Sequence, residues 1–181
     1  MAEIENQREL ISFLRGLRAV RQFRPHPVPQ EVVDGVLEVA RWSGSAGNQQ
    51  PWELVVIHKP ETLQELAKVE GYAGHLAGAA FGIVLVMNGD PGQVNLETFD
   101  EGRLSERMML AAAAYGVGSS IGWFKGEGNA AAKRILGIPE KKLVRTAISF
   151  GYPDEEARRA RPKRAHARRP LSEIVHEERY S

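Results

Sequence analysis

The sequence predicts a single-core domain in which helices and strands follow one another irregularly, and three observations carry that expectation. The chain is 181 residues long, within the span of one domain. With 43% hydrophobic and 26% charged residues, it has the composition of an ordinary globular protein that can bury a core. Its apolar residues alternate between helical spacing and short β-branched runs.

The elements follow in order. Leu10, Ile11, Leu14 and Leu17 recur with helical spacing, so residues 8–17 form an amphipathic helix that breaks at 18–23. After a Pro-rich turn over 24–29, Val32, Val33, Val36, Leu37 and Ala40 mark a second helix, with Pro29 near its first turn and an end by Trp42. A polar, Gly-containing loop over 43–51 leads to a strand at 53–58, and Leu63, Leu66 and Ala67 indicate a further helix. Residues 81–88 are a continuous apolar run suited to the centre of a sheet. The longest helical pattern, about 96–115, carries Leu104, Met108, Ala111, Ala112 and Tyr115 on one face and stops at Gly116. A strand over 119–124, a short helix over 130–136 and a last strand over 143–150 complete the body, with no repeat and no linker.

Composition narrows the chemistry. The absence of cysteine excludes disulfides, thiolate nucleophiles and cysteine-bound metal centres, so redox work needs a borrowed cofactor. No apolar run approaches the roughly 18 residues of a membrane span, and the first ten residues lack a secretory pattern; a cytoplasmic protein without membrane attachment is expected. Net charge is +1, yet residues 158–169 hold seven Lys or Arg and no acid, which leaves the rest of the chain acidic. Residues 1–153 are read as the body of one domain. Residues 154–181 are a basic C-terminal arm of that same domain, expected to pack on a partner subunit.

Two segments carry candidate site residues. In LRAVRQF, residues 17–23, Arg18 and Arg21 stand where the first helix stops, and guanidinium groups there suit a phosphate. Surface arginines are common, so the pair gains weight only from a second segment. That segment is SGSAGNQQPW, residues 43–52: small residues let a backbone approach a ligand, and Asn48 and Gln50 offer donors and acceptors for the edge of a planar heterocycle. The glycines of GVGSSIG, residues 116–122, imitate a dinucleotide fingerprint and a nucleophile elbow. Both need a strand before and a helix after, and here the order is reversed. The five histidines show no ligand spacing, so no metal is expected. The basic tail lacks interleaved aromatics and the body is acidic, which argues against nucleic acid.

These residues resemble the nitroreductase family, which carries a segment like R-R-S-x-R-x-F followed about 25 residues later by P-S-x-x-N-x-Q-P-W. Arg18, Arg21 and Phe23 match the first motif, and Ser45, Asn48, Gln50, Pro51 and Trp52 match the second. The likeness continues through 117–122 and the Gly-Tyr-Pro of 151–153 to the basic tail. Leu17, Ala19 and Gly44 depart from the family's Arg, Ser and Pro.

The resemblance implies an α+β, nitroreductase-like fold: a central mixed β-sheet flanked by helices, in an intertwined homodimer whose two FMN sites lie at the interface. It places Arg18 and Ala19 by the phosphate, Arg21 and Asn48 by the pyrimidine edge, and Ile121 and Gly122 by the reactive central ring. Gly44, Ser45 and Ala46 come from the partner, Gln50 stands with Asn48 in the loop, and Arg164, His166 and Arg168 of the tail close the phosphate site. The implied activity is hydride transfer from NADH or NADPH through FMN to a small, aromatic nitro or quinone acceptor by a ping-pong route, with no catalytic side chain because the flavin carries the chemistry. Dehalogenation or flavin fragmentation on the same fold, and flavin binding without turnover, are the alternatives.

Overall fold

A computed structural model describes residues 2–160 and 168–180. Among the described residues six helices, α1 (Ala2–Gly16), α2 (Gln30–Arg41), α3 (Pro60–Lys68), α4 (Val94–Ala114), α5 (Glu127–Leu136) and α6 (Glu155–Arg159), accompany four strands, β1 (Trp52–Ile57), β2 (Phe81–Met87), β3 (Gly118–Trp123) and β4 (Leu143–Gly151). Local chemistry sets several boundaries. Pro60 opens α3, where its missing N–H costs nothing. Gly116, at φ +71°, ends α4 in the left-handed region, and the amides of Gly116 and Val117 bond the carbonyls of Ala113 and Ala112. Helix α1 starts earlier than its apolar stripe, because the first turns are polar.

The sheet order is β1-β2-β4-β3, and every strand pair is antiparallel. The expected mixed character reduces, among the described residues, to a single parallel bridge between Ala19 and Ser119. A continuous apolar run such as 81–87 fits the centre of either kind of sheet, so composition does not reveal strand direction. Residues of β2 are all buried, and they alternate. Phe81, Ile83 and Leu85 face Val33, Val36 and Ala40 of α2 and Leu104 and Met108 of α4. Val84 and Val86 face Leu63 and Leu66 of α3, with Leu76, Phe124 and Ala132. The sheet is thus a middle layer with helices on both faces, an α+β arrangement. No described helix is long and apolar enough to cross a membrane, and no group of three or more metal-ligating side chains occurs among the described residues.

Helix α4 buries three carboxylates on its core-facing side, Glu97, Asp100 and Glu101. Each serves a different segment. Glu97 accepts the amides of Gly89 and Asp90 at 2.9 and 3.3 Å, which pins the connection after β2. Asp100 accepts the amide of Ala46 at 3.2 Å. Glu101 accepts Nε of Arg145, on β4, at 2.6 Å, and Arg145 also donates to Thr98 Oγ1 at 2.6 Å. Removing the guanidinium leaves a buried carboxylate uncompensated. Arg145→Ala is therefore expected to lose about 3 kcal/mol of unfolding free energy in urea titration; a loss below about 1 kcal/mol, the scale of an exposed pair, would show that the pair contributes no more than a surface contact.

Candidate functional site

Strand β3 lies at the edge of the sheet, and its outer side is almost closed. The amide of Val20 bonds the carbonyl of Ser119 at 2.8 Å, and the amide of Tyr72 bonds the carbonyl of Trp123 at 2.6 Å. In an antiparallel ladder the N–H and C=O of one residue point the same way, and successive residues alternate. Ser119, Ile121 and Trp123 therefore point outward, while Gly122 points inward to its partner Ala147. Between the two closures the backbone N–H and C=O of Ile121 face the open edge, where the carbonyl accepts Ser120 Oγ at 3.4 Å and the amide is left to the outside. Of the two residues expected beside a ring, Ile121 has the accessible amide and Gly122 does not. The glycine at 122 has a packing reason of its own: a Cβ there would lie 2.8 Å from Ala73 Cα and 3.0 Å from His75 Nε2.

The closure by Val20 also fixes the segment that bears Arg18, Ala19 and Arg21. Gly118 packs directly under Val20, and a Cβ on Gly118 would approach the Val20 side chain to 2.8 Å. At the other end of the segment, Arg18 Nη1 donates to the carbonyls of Arg15 and Leu17, both at 2.7 Å, satisfying carbonyls at the end of α1. Arg18 thus acts as a helix cap, with further donors on its planar fork.

Alongside lies a cleft of about 1010 Å³ lined by Arg15, Leu17, Arg18, Ala19, Glu106 and Arg168, among others. Its size is at the top of the range of small-molecule sites, roughly 300 to 1,000 Å³. A second space of about 300 Å³ shares Gly16, Leu17 and Arg18 with it and adds Val20, Gly118 and Pro153. The structure therefore brings Arg18, Ala19 and Arg168 to one cleft, with residues from opposite ends of the chain. Arg21 is half-buried in the same segment. Arg164 and His166 lie outside the described residues.

The loop over 43–51 stands apart from that cleft within one chain. Asn48 and Gln50 adopt φ of +55° and +50°, a region tolerated by Asn but costly for Gln. The loop is held in this shape from several sides. Ser45 Oγ accepts the amide of Gln50 at 2.8 Å, the Gln50 side-chain amide donates to the Asn48 carbonyl at 3.1 Å, and Asp100 holds Ala46. The Gln50 side chain is engaged within the loop. Gly44 lies against the guanidinium of Arg103, where any Cβ would collide with Nη2, and Asp100 steadies Arg103 at 3.7 Å. The space left by Gly44 is thus occupied by an arginine. Just before the loop, Arg41 and the Trp42 indole both donate to Glu38, whose carboxyl is lowered to about 2 by those hydrogen bonds.

Sequence reasoning missed the donors and acids that α1 and α4 add here, Arg15, Glu106 and Asp100. Their signal was helical spacing: Arg15 stands one turn before Arg18, and Asp100 falls on the stripe of Leu104 and Met108. Gly118→Ala should part Val20 from Ser119 and cost about 1–3 kcal/mol, whereas Gly102→Ala, with open space around its Cβ position, should leave the thermal midpoint unchanged or raise it. Equal midpoints for the two variants would remove Gly118 from the support of this edge.

Comparison with known proteins places this geometry. The model of the nitroreductase family matches residues 14–73, which contain both arginines and the loop. A candidate NADH dehydrogenase/NAD(P)H nitroreductase of Archaeoglobus fulgidus is 28% identical over 152 residues, covering 82% of this chain and 87% of its own. An NADPH-flavin oxidoreductase of Vibrio harveyi is 25% identical over 178 residues, covering 90% and 71%. In structure, the FMN-dependent nitroreductase of Clostridium difficile R20291 superposes with a TM-score of 0.79 over 94% of this chain and 99% of that one, at 23% identity. The motifs, the relatives aligned along most of their length and the shared fold agree: the chain is similar to the nitroreductase family in residues 14–73 and has its fold.

Proposed function

We propose that this chain is a cytoplasmic, homodimeric FMN-dependent oxidoreductase that draws electrons from NADH or NADPH and delivers them to a small aromatic acceptor, of the nitro or quinone class. The observation that carries the reading is the outward-facing amide of Ile121 at the edge of β3, between the closures by Val20 and Tyr72 and flanked by the arginine-bearing segment of residues 17–23. Relatives named as an NADPH-flavin oxidoreductase and an FMN-dependent nitroreductase support the cofactor and the electron donor.

The donor set fits the cofactor's chemistry. When bound, FMN supplies the redox chemistry, accepting electrons from the nicotinamide and passing them on in separate half-reactions. The chain's own residues bind and tune. The Ile121 amide offers a fixed donor toward the ring, with Gly122 holding the strand beneath it. Arg21 supplies positive charge to the pyrimidine side, where preorganised charge is most effective. Arg18, Ala19 and Arg168 belong to the phosphate end, together with Arg164 and His166 of the tail. Gly44, Ser45 and Ala46, with Asn48 and Gln50 in the same strained loop, complete the site from the partner subunit. No side chain is assigned as acid or base.

Exposed apolar surface supports the dimer. Leu10, Ile11 and Leu14 on α1, Phe99 on α4, and Leu171, Ile174 and Val175 in the C-terminal arm are all exposed in the single chain, and apolar surface of this extent marks an interface. The arm, residues 154–181, docks on the partner in this reading. The connection between β2 and α4 is short and held down by Glu97, which favours an open site and a broad acceptor range over chemistry that needs an enclosed one.

Purified protein is expected to be yellow, or to become so with added FMN, and to bleach with NADH or NADPH in anaerobic stopped flow; a colourless protein that stays so with FMN would sink the reading. Bound flavin that no nicotinamide bleaches would leave only a carrier. Arg21→Ala should lower the flavin's reduction potential, and an unchanged potential would take Arg21 off the ring. Sedimentation at micromolar concentration should show a dimer of the 20.0 kDa chain, and a monomer alone would refute the shared site.

A further inference from the structure

Three guanidinium groups line one cleft, and none of them is neutralised by a salt bridge among the described residues. Arg15 and Arg18 reach it from the end of α1, and Arg168 from the far end of the chain. Among the described residues none of these three forms a salt bridge, whereas Arg41, Arg103, Arg145, Arg158 and Arg169 all do. Like charges gathered on one concave wall repel one another and together raise the local concentration of anions. One carboxylate, that of Glu106, lines the same cleft.

The three differ in what they have left to give. Arg18 spends Nη1 on the carbonyls that end α1. Arg15 makes no side-chain hydrogen bond among the described residues, so its planar fork is available for bidentate contact with an oxyanion. Ser12 lines the cleft as well, and its spacing from Arg15 puts the two on one face of α1. The loop that follows the helix offers no polar side chain of its own at Leu17 or Ala19.

We propose that Ser12 and Arg15, on the last turns of α1, are the main protein donors to a phosphate monoester dianion in this cleft, with Arg168 closing it and Glu106 opposing it. The inference rests on the FMN reading above, and the monoester is the one at the end of that cofactor's side chain. The last turns of the helix, with Arg18 and Ala19 just beyond them, then carry the anion site.

The test compares FMN with riboflavin, which has the same ring and no phosphate, by fluorescence titration of the apoprotein at low ionic strength. Arg15→Ala is expected to weaken FMN about tenfold, the scale of one charge-assisted hydrogen bond, and to leave riboflavin unchanged; Ser12→Ala should act in the same direction and less strongly. Glu106→Gln should strengthen FMN and leave riboflavin unchanged, a reversal of sign that a packing role does not produce. Wild-type protein that prefers FMN while Arg15→Ala keeps the full preference would overturn the proposal alone. Equal loss of both flavins in Arg15→Ala, at an unchanged thermal midpoint, would overturn it as well, by assigning Arg15 to the ring. Wild-type protein that binds neither flavin would remove the FMN reading itself.

Discussion

The arrangement of the whole molecule depends on carboxylates that α4 carries into the core. A buried carboxylate must be compensated, and the compensation comes from wherever a donor can be brought. Glu97 draws in the amides after β2, Asp100 draws in the loop over 43–51, and Glu101 draws in Arg145 from β4. One helix face therefore sets three otherwise independent segments against the sheet. Hydrophobic burial alone would hold α4 in place without specifying where the irregular segments go. The acids convert a packed helix into a fixed frame for loops.

That frame explains how strain is sustained in the loop over 43–51. A Gln in the left-handed region costs free energy, and nothing in the residue itself favours it. The cost is offset by bonds that converge from outside and inside the loop, from Asp100 and from Ser45. The segment of residues 17–23 is fixed by different means, through Arg18 as a helix cap and Val20 on the sheet edge. The two segments that bear the family motifs are thus rigid before any ligand arrives, which reduces the ordering cost of binding.

Much of this was legible in the sequence, because periodicity reports directly on which residues face a core. The four strands and the main helices fall close to where the apolar spacing puts them, and the resemblance located both motif segments. Strand direction was not legible, since residues 81–87 are buried on both sides and read alike in parallel and antiparallel sheets. The packing reason for Gly122 was not legible: a Cβ there would meet Ala73 and His75, which are distant in sequence. The buried acids of α4 escaped because a search for apolar stripes passes over charged residues at positions 97, 100 and 101, although their spacing from Leu104 matches the stripe. The left-handed backbone of Gln50 escaped because the bonds of the folded loop impose it against the residue's own preference.

The near-closure of β3 has a consequence for the molecule's behaviour in a crowded solution. A free sheet edge is a template on which foreign strands can add, and long runs of open N–H and C=O groups are what make such addition cooperative. Here Val20 and Tyr72 occupy the positions on either side of Ile121, so an incoming strand finds one residue to pair with and steric blocks at both ends. An opening of one residue is too short to nucleate a β-ladder. The two closures therefore guard the edge against self-association through strand addition.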